Sequence, residues 1–425
     1  MTSVTVRKEA DTVSLTRMRV MGILFLFIGA AIWILFGRGT SGSAVTTFVM
    51  VPGGSDAVLA DWKLPSSIVI NGLAFACAFF GGVQLARSQG FGKRTNAILA
   101  LVVGAFIFAF LVWAAADQSL NLAGLLNATL QKAVPLTLGA LSGILCERSG
   151  VVNIAIEGMM LGGAMVSTVV ASVTGSMWLG VLGALLVGAL LAWVHGVLSI
   201  KYKINQIISG TVINIFATGI TSYISAKYLQ VYQELNNSGI FAPWPVPVLS
   251  KIPFFGPILF NHNVYVYAMY LFLVILQVAL FYTRWGLRLR SVGEHPKAAD
   301  TLGINVFKTR YMAVILGGMM AGFAGSYFTL GSVGRFDEVM TAGRGFIALA
   351  AMIFGNWMPF GAFGAGLLFG FADALASKLA ILGVRIPSDF LLMAPYIATM
   401  IVLAGVVGRS QMPAADGVPY EKESV

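Results

Sequence analysis

The chain has 425 residues, of which 58% are hydrophobic and only 10% charged, whereas soluble domains carry about 25% charged residues. Its formal net charge of +10 does not point to nucleic acid. The basic residues are scattered through connections between apolar runs rather than gathered into a stripe, and an anionic membrane leaflet is reason enough for them. Cys77 and Cys146 lie far apart, in or beside apolar runs, and make no disulfide framework.

Apolar runs of roughly 17–20 residues recur along the whole length, so the expected fold is all-α, a polytopic helical membrane protein with about 10–12 transmembrane helices. The short alternating segments of a membrane β-barrel are absent. Arg7, Lys8, Arg17 and Arg19 precede a first run, about Val20 to Phe36, that lacks a small-residue cleavage pattern. This predicts an uncleaved first span with the N-terminus inside. Spans at about Ile68–Leu85 and Ala97–Ala115, joined by the basic Arg87–Arg94 loop, complete an N-terminal section of residues 1–125.

A permease-like core of residues 126–407 is expected to follow. Its first span, about Leu126–Leu145, holds Pro135 and several glycines, which predicts a kinked or interrupted helix. After the polar turn Cys146–Asn153 come spans at about Ile154–Val173 and Trp178–Leu198, rich in small residues that allow close helix contact. A basic turn, Lys201–Gln206, leads to a span at about Ile207–Ala226. The proline-rich Lys227–Asn263 segment reads as an outside cap, and Val264–Phe281 as the next span. Beyond residue 310 come a span at Tyr311–Leu330 and a polar outer segment, Gly331–Gly345. Phe346–Phe354 is too short to cross alone, and Gly355–Gly366 is broken by Pro359. Counting Phe346–Met358 as a crossing gives about 12 spans with both ends inside, and a re-entrant reading gives one fewer. The last spans are about Ala362–Leu379 and Phe390–Val407, before a polar tail, 408–425.

No catalytic constellation is visible. His195, His262 and His295 have no metal-ligand spacing, and no glycine-rich run has the strand–loop–helix setting of a phosphate loop. The chain is therefore expected to bind no cofactor and to draw its energy from a gradient or a partner. Ionisable groups at membrane depth are kept for pathways or pairing. The candidates are Glu157, equally readable as a helix-start carboxylate, and Asp373, equally readable as half of a structural pair. Asn153, Gln206, Asn214, Thr218, Asn356 and Ser377 could orient a polar, uncharged solute, or simply hold helices together.

Arg284–Arg310 is the strongest polar interruption, carrying six of the 27 Lys and Arg residues. It is expected on the cytoplasmic side. Gly293 permits a turn, Glu294 can cap, Pro296 suits a first helical turn, and Gly303 ends the element after Ala298, Ala299, Thr301 and Leu302. The expected product is a short surface helix with a small Ala face. It is either an unpartnered interfacial helix or a docking element.

Four stretches in order carry a resemblance: LTLGALSGILCERSGVVNIAIEGMMLGGA from Leu136, KINQIISGTVINIFATGITSYI from Lys203, LRLRSVGEHPKAADTLGIN from Leu287 and ALAAMIFGNWMPFGAFGAGLLFG from Ala348. They resemble bacterial ABC-transporter permeases of the branched-chain amino acid and simple-sugar group, nearest to the nucleoside and simple-sugar permeases. The resemblance implies a permease in the bacterial inner (plasma) membrane that pairs with a second related permease. Cytoplasmic ATP-binding subunits would use ATP and Mg, and an extracytoplasmic solute-binding protein would deliver a nucleoside. It assigns ATPase coupling to Gly293, Glu294, Pro296, Ala298, Ala299, Gly303 and Ile304. It places Asn153 and Glu157 at a pore-side turn. Import of a simple sugar or a branched-chain amino acid by the same architecture is the alternative, and a gradient-driven carrier the second.

Overall fold

The computed structural model describes residues 15–53, 59–87, 90–383, 387, 390, 393 and 411–422. The expected span at Phe390–Val407 therefore lies outside the described residues, apart from two isolated positions, as does most of the basic N-terminal lead. Two compact units are present, residues 1–123 with 379–384, and residues 124–378 with 385–425.

The first unit is built from α1 (Leu15–Ile32), α2 (Ser66–Ala86) and α3 (Thr95–Ala114). Phe25, Ile32, Ile70, Val102 and Val112 are buried within it. Where only a loop is expected from the sequence, the chain makes a small sheet of β1 (Val45–Val49), β2 (Trp62–Pro65) and β3 (Ser119–Asn121). β1 is central, antiparallel to β2 and parallel to β3. Its sequence, VTTFV, is dense in β-branched and aromatic residues, which fit a pleated surface. Thr46 anchors the sheet by donating its hydroxyl to the Val112 carbonyl at 2.7 Å.

The second unit contains α4 (Leu122–Glu147), α5 (Ile156–Thr174), α6 (Met177–Gly196), α7 (Gln206–Ile224), a short α8 (Phe255–Leu259) and α9 (Val264–Tyr282). These are followed by α10 (Arg284–Glu294), α11 (Pro296–Thr301), α12 (Val306–Phe328), α13 (Arg344–Phe354) and α14 (Pro359–Ile381). Among the described residues of the whole chain, ten helices are long and apolar enough to cross a membrane, and α13 is a shorter apolar helix. α4, α5 and α12 are the most enclosed. Leu141, Met160, Tyr265, Ala324, Met352 and Phe369 share one core with them. Of the two expectations for the first core span, the interruption does not occur: α4 is helical from Leu122 to Glu147 with Pro135 inside it.

Small residues set how closely these helices approach. A Cβ on Gly322 of α12 would overlap the Ala184 carbonyl of α6, and one on Gly325 would overlap the Met160 carbonyl of α5. Backbone lies on backbone there, so no rotamer change can relieve a larger side chain. Glu147, at one end of α4, meets Trp357 just before α14. α14 is 23 residues long, about 34 Å at 1.5 Å per residue, so its far end lies on the opposite face. The chain is next described in continuous form at Gln411, whose N–H donates to Asn356 Oδ1 at 2.7 Å, back on the Glu147 face.

The segment with two open readings crosses in two pieces. Ser238 N–H donates to the Gly334 carbonyl at 3.0 Å, at the far ends of α7 and α12. The chain then descends without a long helix to Gly343, and α13 completes the passage to the Glu147 face. α13 has 11 residues, about 16 Å, roughly half of a hydrocarbon core of about 30 Å.

Overpacking a close-packed site costs typically about 1–3 kcal/mol. Gly322→Val should therefore lower the melting temperature of the detergent-solubilised protein or prevent its accumulation. Gly219→Ala, in α7 with no atom within 4 Å of the added carbon, should melt at or above the wild-type temperature.

Candidate functional site

The face that carries Glu147 also carries α10 and α11. Thr283 caps α10, its hydroxyl accepting from Gly286 N–H at 3.1 Å. Gly286, Leu289, Val292 and Gly293 form the buried stripe, close to the i, i+3, i+7 spacing of an amphipathic helix. Gly293 is thus helical, not in a turn. It is needed because a Cβ would overlap the Arg148 carbonyl. The cap of α11 is His295, whose Nδ1 accepts from Ala298 N–H at 3.3 Å. Glu294 does not cap that helix and instead accepts from Ala414 N–H at 3.2 Å. Pro296 stands in the first turn as expected, and Gly303 closes the element at φ +81°. Ile304 returns to the body, donating its N–H to the Ala299 carbonyl at 3.0 Å.

The two alanines do not share an outward face. Ala299 is buried with Val292, Val306 and Tyr420. Ala298 and Thr301 point outward, and Leu302 at the tip is 81% exposed. The result is an exposed apolar knob at the end of a short, tightly braced helix.

Beneath α10 and α11 lies a buried polar knot. Arg310 of α12, 1% exposed, donates from Nε to the Ser149 carbonyl at 3.2 Å and from an Nη to the Val418 carbonyl at 3.0 Å. Trp357 Nε1 donates to Glu147 Oε2 at 2.5 Å. Arg148 holds the Trp357 carbonyl at 3.0 and 3.1 Å and lies over the Phe281 ring. Asp416 is buried against Glu147, with which it hydrogen-bonds. Burial pushes the Asp416 carboxyl up to about 7, against the opposing pull of the Glu147 hydrogen bond, the Gly417 N–H and the Arg310 charge. Two carboxyls in contact at such a site share a proton.

Deeper in the unit, Glu157 does more than start its own helix. Its Oε1 accepts from the Thr341 hydroxyl at 2.6 Å and from Gly343 N–H at 2.8 Å, and its Oε2 accepts from Gly345 N–H at 2.6 Å. It is the cap of α13, which begins inside the bundle. A carboxylate there meets both the orphan N–H groups and the positive end of the helix dipole.

Three of the neutral candidates gather at this junction and bind backbone through their side-chain oxygens, while Gln206 Nε2 is buried without a hydrogen-bond partner among the described residues and Asn153 Nδ2 faces the sulfurs of Cys146 and Met159. Gln206 Oε1 accepts from Val152 N–H at 2.6 Å, and Asn153 Oδ1 from Ala155 N–H at 3.1 Å. Asn214 accepts from Gly158 N–H at 2.8 Å and donates to the Ile154 carbonyl at 2.9 Å. Thr218 donates to the Asn214 carbonyl. Asn153, Glu157, Gln206 and Asn214 thus come together around the 152–158 segment, Thr218 lies a turn further along α7, and Asn356 lies apart, holding Gln411.

Asp373 is half of a pair and more. Lys132 Nζ stands 2.8 Å from one of its oxygens and an Arg344 Nη 3.5 Å from the other. Ser377 accepts from Lys132 at 3.2 Å. All three charged side chains retain 29–31% exposure although they belong to membrane-depth helices, so this face does not suit lipid. At the opposite face, Gln230, Gln233, Glu234, Asn236, Asn237, Arg335 and Asp337 line an open cleft of about 850 Å³.

Lys132, Arg344 and the tail were missed in the sequence. A lysine ten residues inside an apolar span was a usable signal, since it must find an acid. The Asp416-Gly417 pair, a turn signature, was another.

A family model described as the branched-chain amino acid transport system permease component matches residues 125–407. The guanosine ABC transporter permease protein NupQ of Bacillus subtilis is 42% identical over 307 residues, covering 69% of this chain and 95% of that relative. The nucleoside ABC transporter permease protein NupC of Lactococcus lactis is 42% identical over 301 residues, 68% and 93% of the two chains. A putative glucose ABC transporter permease protein of Haloferax volcanii, TsgC13, is 38% identical over 257 residues, 60% and 77% of the two chains. No solved structure matches the chain.

Glu157→Ala orphans two buried N–H groups and a hydroxyl, each bond to a charged group being worth about 1.5–3 kcal/mol. It should lower the melting temperature clearly, and Glu157→Gln by less; equal melting of all three proteins would dismiss the capping role. For the tail, a raised Asp416 pKa means that docking is favoured fully below about 4 and that this contribution is lost as pH rises through about 7. The titratable groups facing Asp416 are Glu147, Arg310 and Cys146. Hydrogen-exchange protection of the 411–422 amides, corrected for intrinsic rate, should fall between pH 6 and pH 8, and Asp416→Asn should flatten that change.

Proposed function

The chain belongs to the branched-chain amino acid transport system permease family, and we propose that it is the membrane-spanning subunit of an ATP-driven importer for nucleosides. The observation that carries this reading is the α10–α11 element. It is an exposed knob between α9 and α12, braced from behind by Gly293 against Arg148 and by Ala299 against Val306. A loop that only joined two spans would not need such bracing. A docking element that must pass force from a partner into α4, α12 and α14 does.

In this reading the α10–α11 face is cytoplasmic and Leu302, with Ala298 and Thr301 beside it, seats in a cleft of an ATP-binding subunit. ATP and Mg are used there, and this chain performs no hydrolysis. Closure of the partner's nucleotide sites pushes α11. The push passes through Gly293 to the 147–150 turn and through Arg310 to α12, shifting the bundle between two packings. The half-exposed Lys132–Asp373–Arg344 face is the side on which a second related permease completes a wet path. With the chain in the inner membrane of a bacterium, the cleft at Gln230 and Asp337 faces the extracytoplasmic solute-binding protein. Glu157, Lys132, Arg344 and Asp373 are each engaged, which favours a partner's ATP over a proton gradient as the driving source.

Nucleosides are favoured because two relatives named for guanosine or nucleosides are each covered over more than nine-tenths of their length. The more distant Haloferax volcanii relative keeps a simple sugar as the second reading. Copurification with the ATP-binding subunits, followed by uptake and ATPase assays in proteoliposomes with labelled nucleosides and sugars, tests both. Guanosine or another nucleoside should stimulate hydrolysis and accumulate, and sugar should do neither. Leu302→Asp should leave membrane insertion intact but reduce uptake at least about tenfold, the scale of about 1.4 kcal/mol of lost docking. Wild-type uptake by that variant would sink the docking assignment.

A further inference from the structure

The C-terminal segment 411–422 reads from composition as a polar tail, yet it is built into the fold. Gln411 N–H is held by Asn356 at 2.7 Å, Ala414 N–H by Glu294 at 3.2 Å, and Ala415 N–H by the Gly293 carbonyl at 2.9 Å. Asp416 is buried beside Glu147. The Val418 carbonyl accepts from Arg310 at 3.0 Å. The Tyr420 ring is buried and packs on Phe307 with centroids 5.3 Å apart. Beyond it, Glu421 pairs with Lys203, and Lys422 stands 4.0 Å from Asp300.

These contacts reach separate pieces of the same face: the end of α4, the 355–358 turn, both α10 and α11, the start of α12, and the 201–203 turn before α7. Without the segment, α10 would still touch the 147–150 turn through Gly293. Arg310 would lose its Val418 partner, Glu294 its backbone partner, and Ala299 one wall of its packing. The segment also forms one side of an open cleft of about 800 Å³ whose other side is Glu294 to Lys297, so it borders the docking element.

We propose that residues 411–422 are a strap that makes α10, α11 and the inner ends of α4 and α12 move as one block, so that the strap is a positioning element for ATP-driven transport. This rests on α10–α11 being the element that docks the ATP-binding subunit. In its absence the docking element still binds its partner, but motion is absorbed at the 283 and 303 ends instead of reaching the spans. Force transmission, not docking affinity, is the property it supplies.

The test uses the full complex in nanodiscs, with a protease site inserted after Arg409 and cut only after assembly. Stripping the freed segment should leave the ATP-binding subunits attached and basal hydrolysis within about twofold. Nucleoside imported per ATP hydrolysed should fall at least about tenfold, and a synthetic peptide of residues 411–425 should restore it. An uncut variant, Tyr420→Ala, which removes the ring from Phe307, should show a smaller loss in the same direction. A stripped complex that imports with the wild-type ratio overturns the strap. A drop in melting temperature with an unchanged ratio does the same, since it marks a merely structural segment. Absence of any ATP-binding subunit from the intact complex instead overturns the docking assignment, and is read before the cut is made.

Discussion

A backbone that breaks its helix inside hydrocarbon has no water to satisfy it, and this constraint governs the second half of the molecule. The passage from Gly334 to Phe354 is an irregular, turn-rich limb followed by a half-helix, so α13 opens its N-terminus within the bundle. Glu157 closes it from another helix with three short hydrogen bonds. The position of that carboxylate is itself secured: Asn214 holds the neighbouring Gly158 N–H, and Gln206 holds Val152. A chain of side-chain amides thus runs from the turns on the Glu147 face to the middle of the bundle, and each link holds a non-helical backbone segment at depth.

The same logic explains why the charged residues are few but not free. Asp373 is met by Lys132 and Arg344 from two other helices, and Arg310, though almost fully enclosed, donates to two backbone carbonyls and lies in the field of Asp416, while its Nη2 is buried without a hydrogen-bond partner among the described residues. Burying an ion without partners costs several kcal/mol, so in each case the sequence places the charge where the turns of neighbouring helices converge. The bundle is then most specific at the ends on the Glu147 face and at mid-depth, while the outer flanks of α6, α7 and α9 are plainly apolar.

Much of this was legible in the residues. Apolar run length located the helices to within a few positions, and the start and stop of α11 followed from Pro296 and Gly303. The details that failed did so for one physical reason, that the deciding partner is far away in sequence. Gly293 was read as a turn residue because a glycine in a polar loop usually is; its real requirement is the Arg148 carbonyl across the interface. Glu294 was read as a cap, but His295 occupies that place and Glu294 turns to the tail. Glu157 looked like a first-turn carboxylate because its true partner, Gly343 N–H, lies 186 residues on. Pro135 is compatible with either a kink or an interruption, and α4, packed on nearly all sides, stays helical through it. Of the neutral candidates, local sequence could name the amides but not say that backbone would claim them.

Both native thiols are enclosed, Cys77 in the first unit and Cys146 at the end of α4. The protein is therefore already silent to bulky, membrane-impermeant maleimides without any cysteine being removed. A single cysteine placed at Leu302, and another at Val248 on the proline-rich cap, which is 78% exposed, would each be the sole reactive position in its variant. Labelling intact cells and inverted vesicles with the same reagent would then assign each surface to a compartment, in the otherwise native polypeptide.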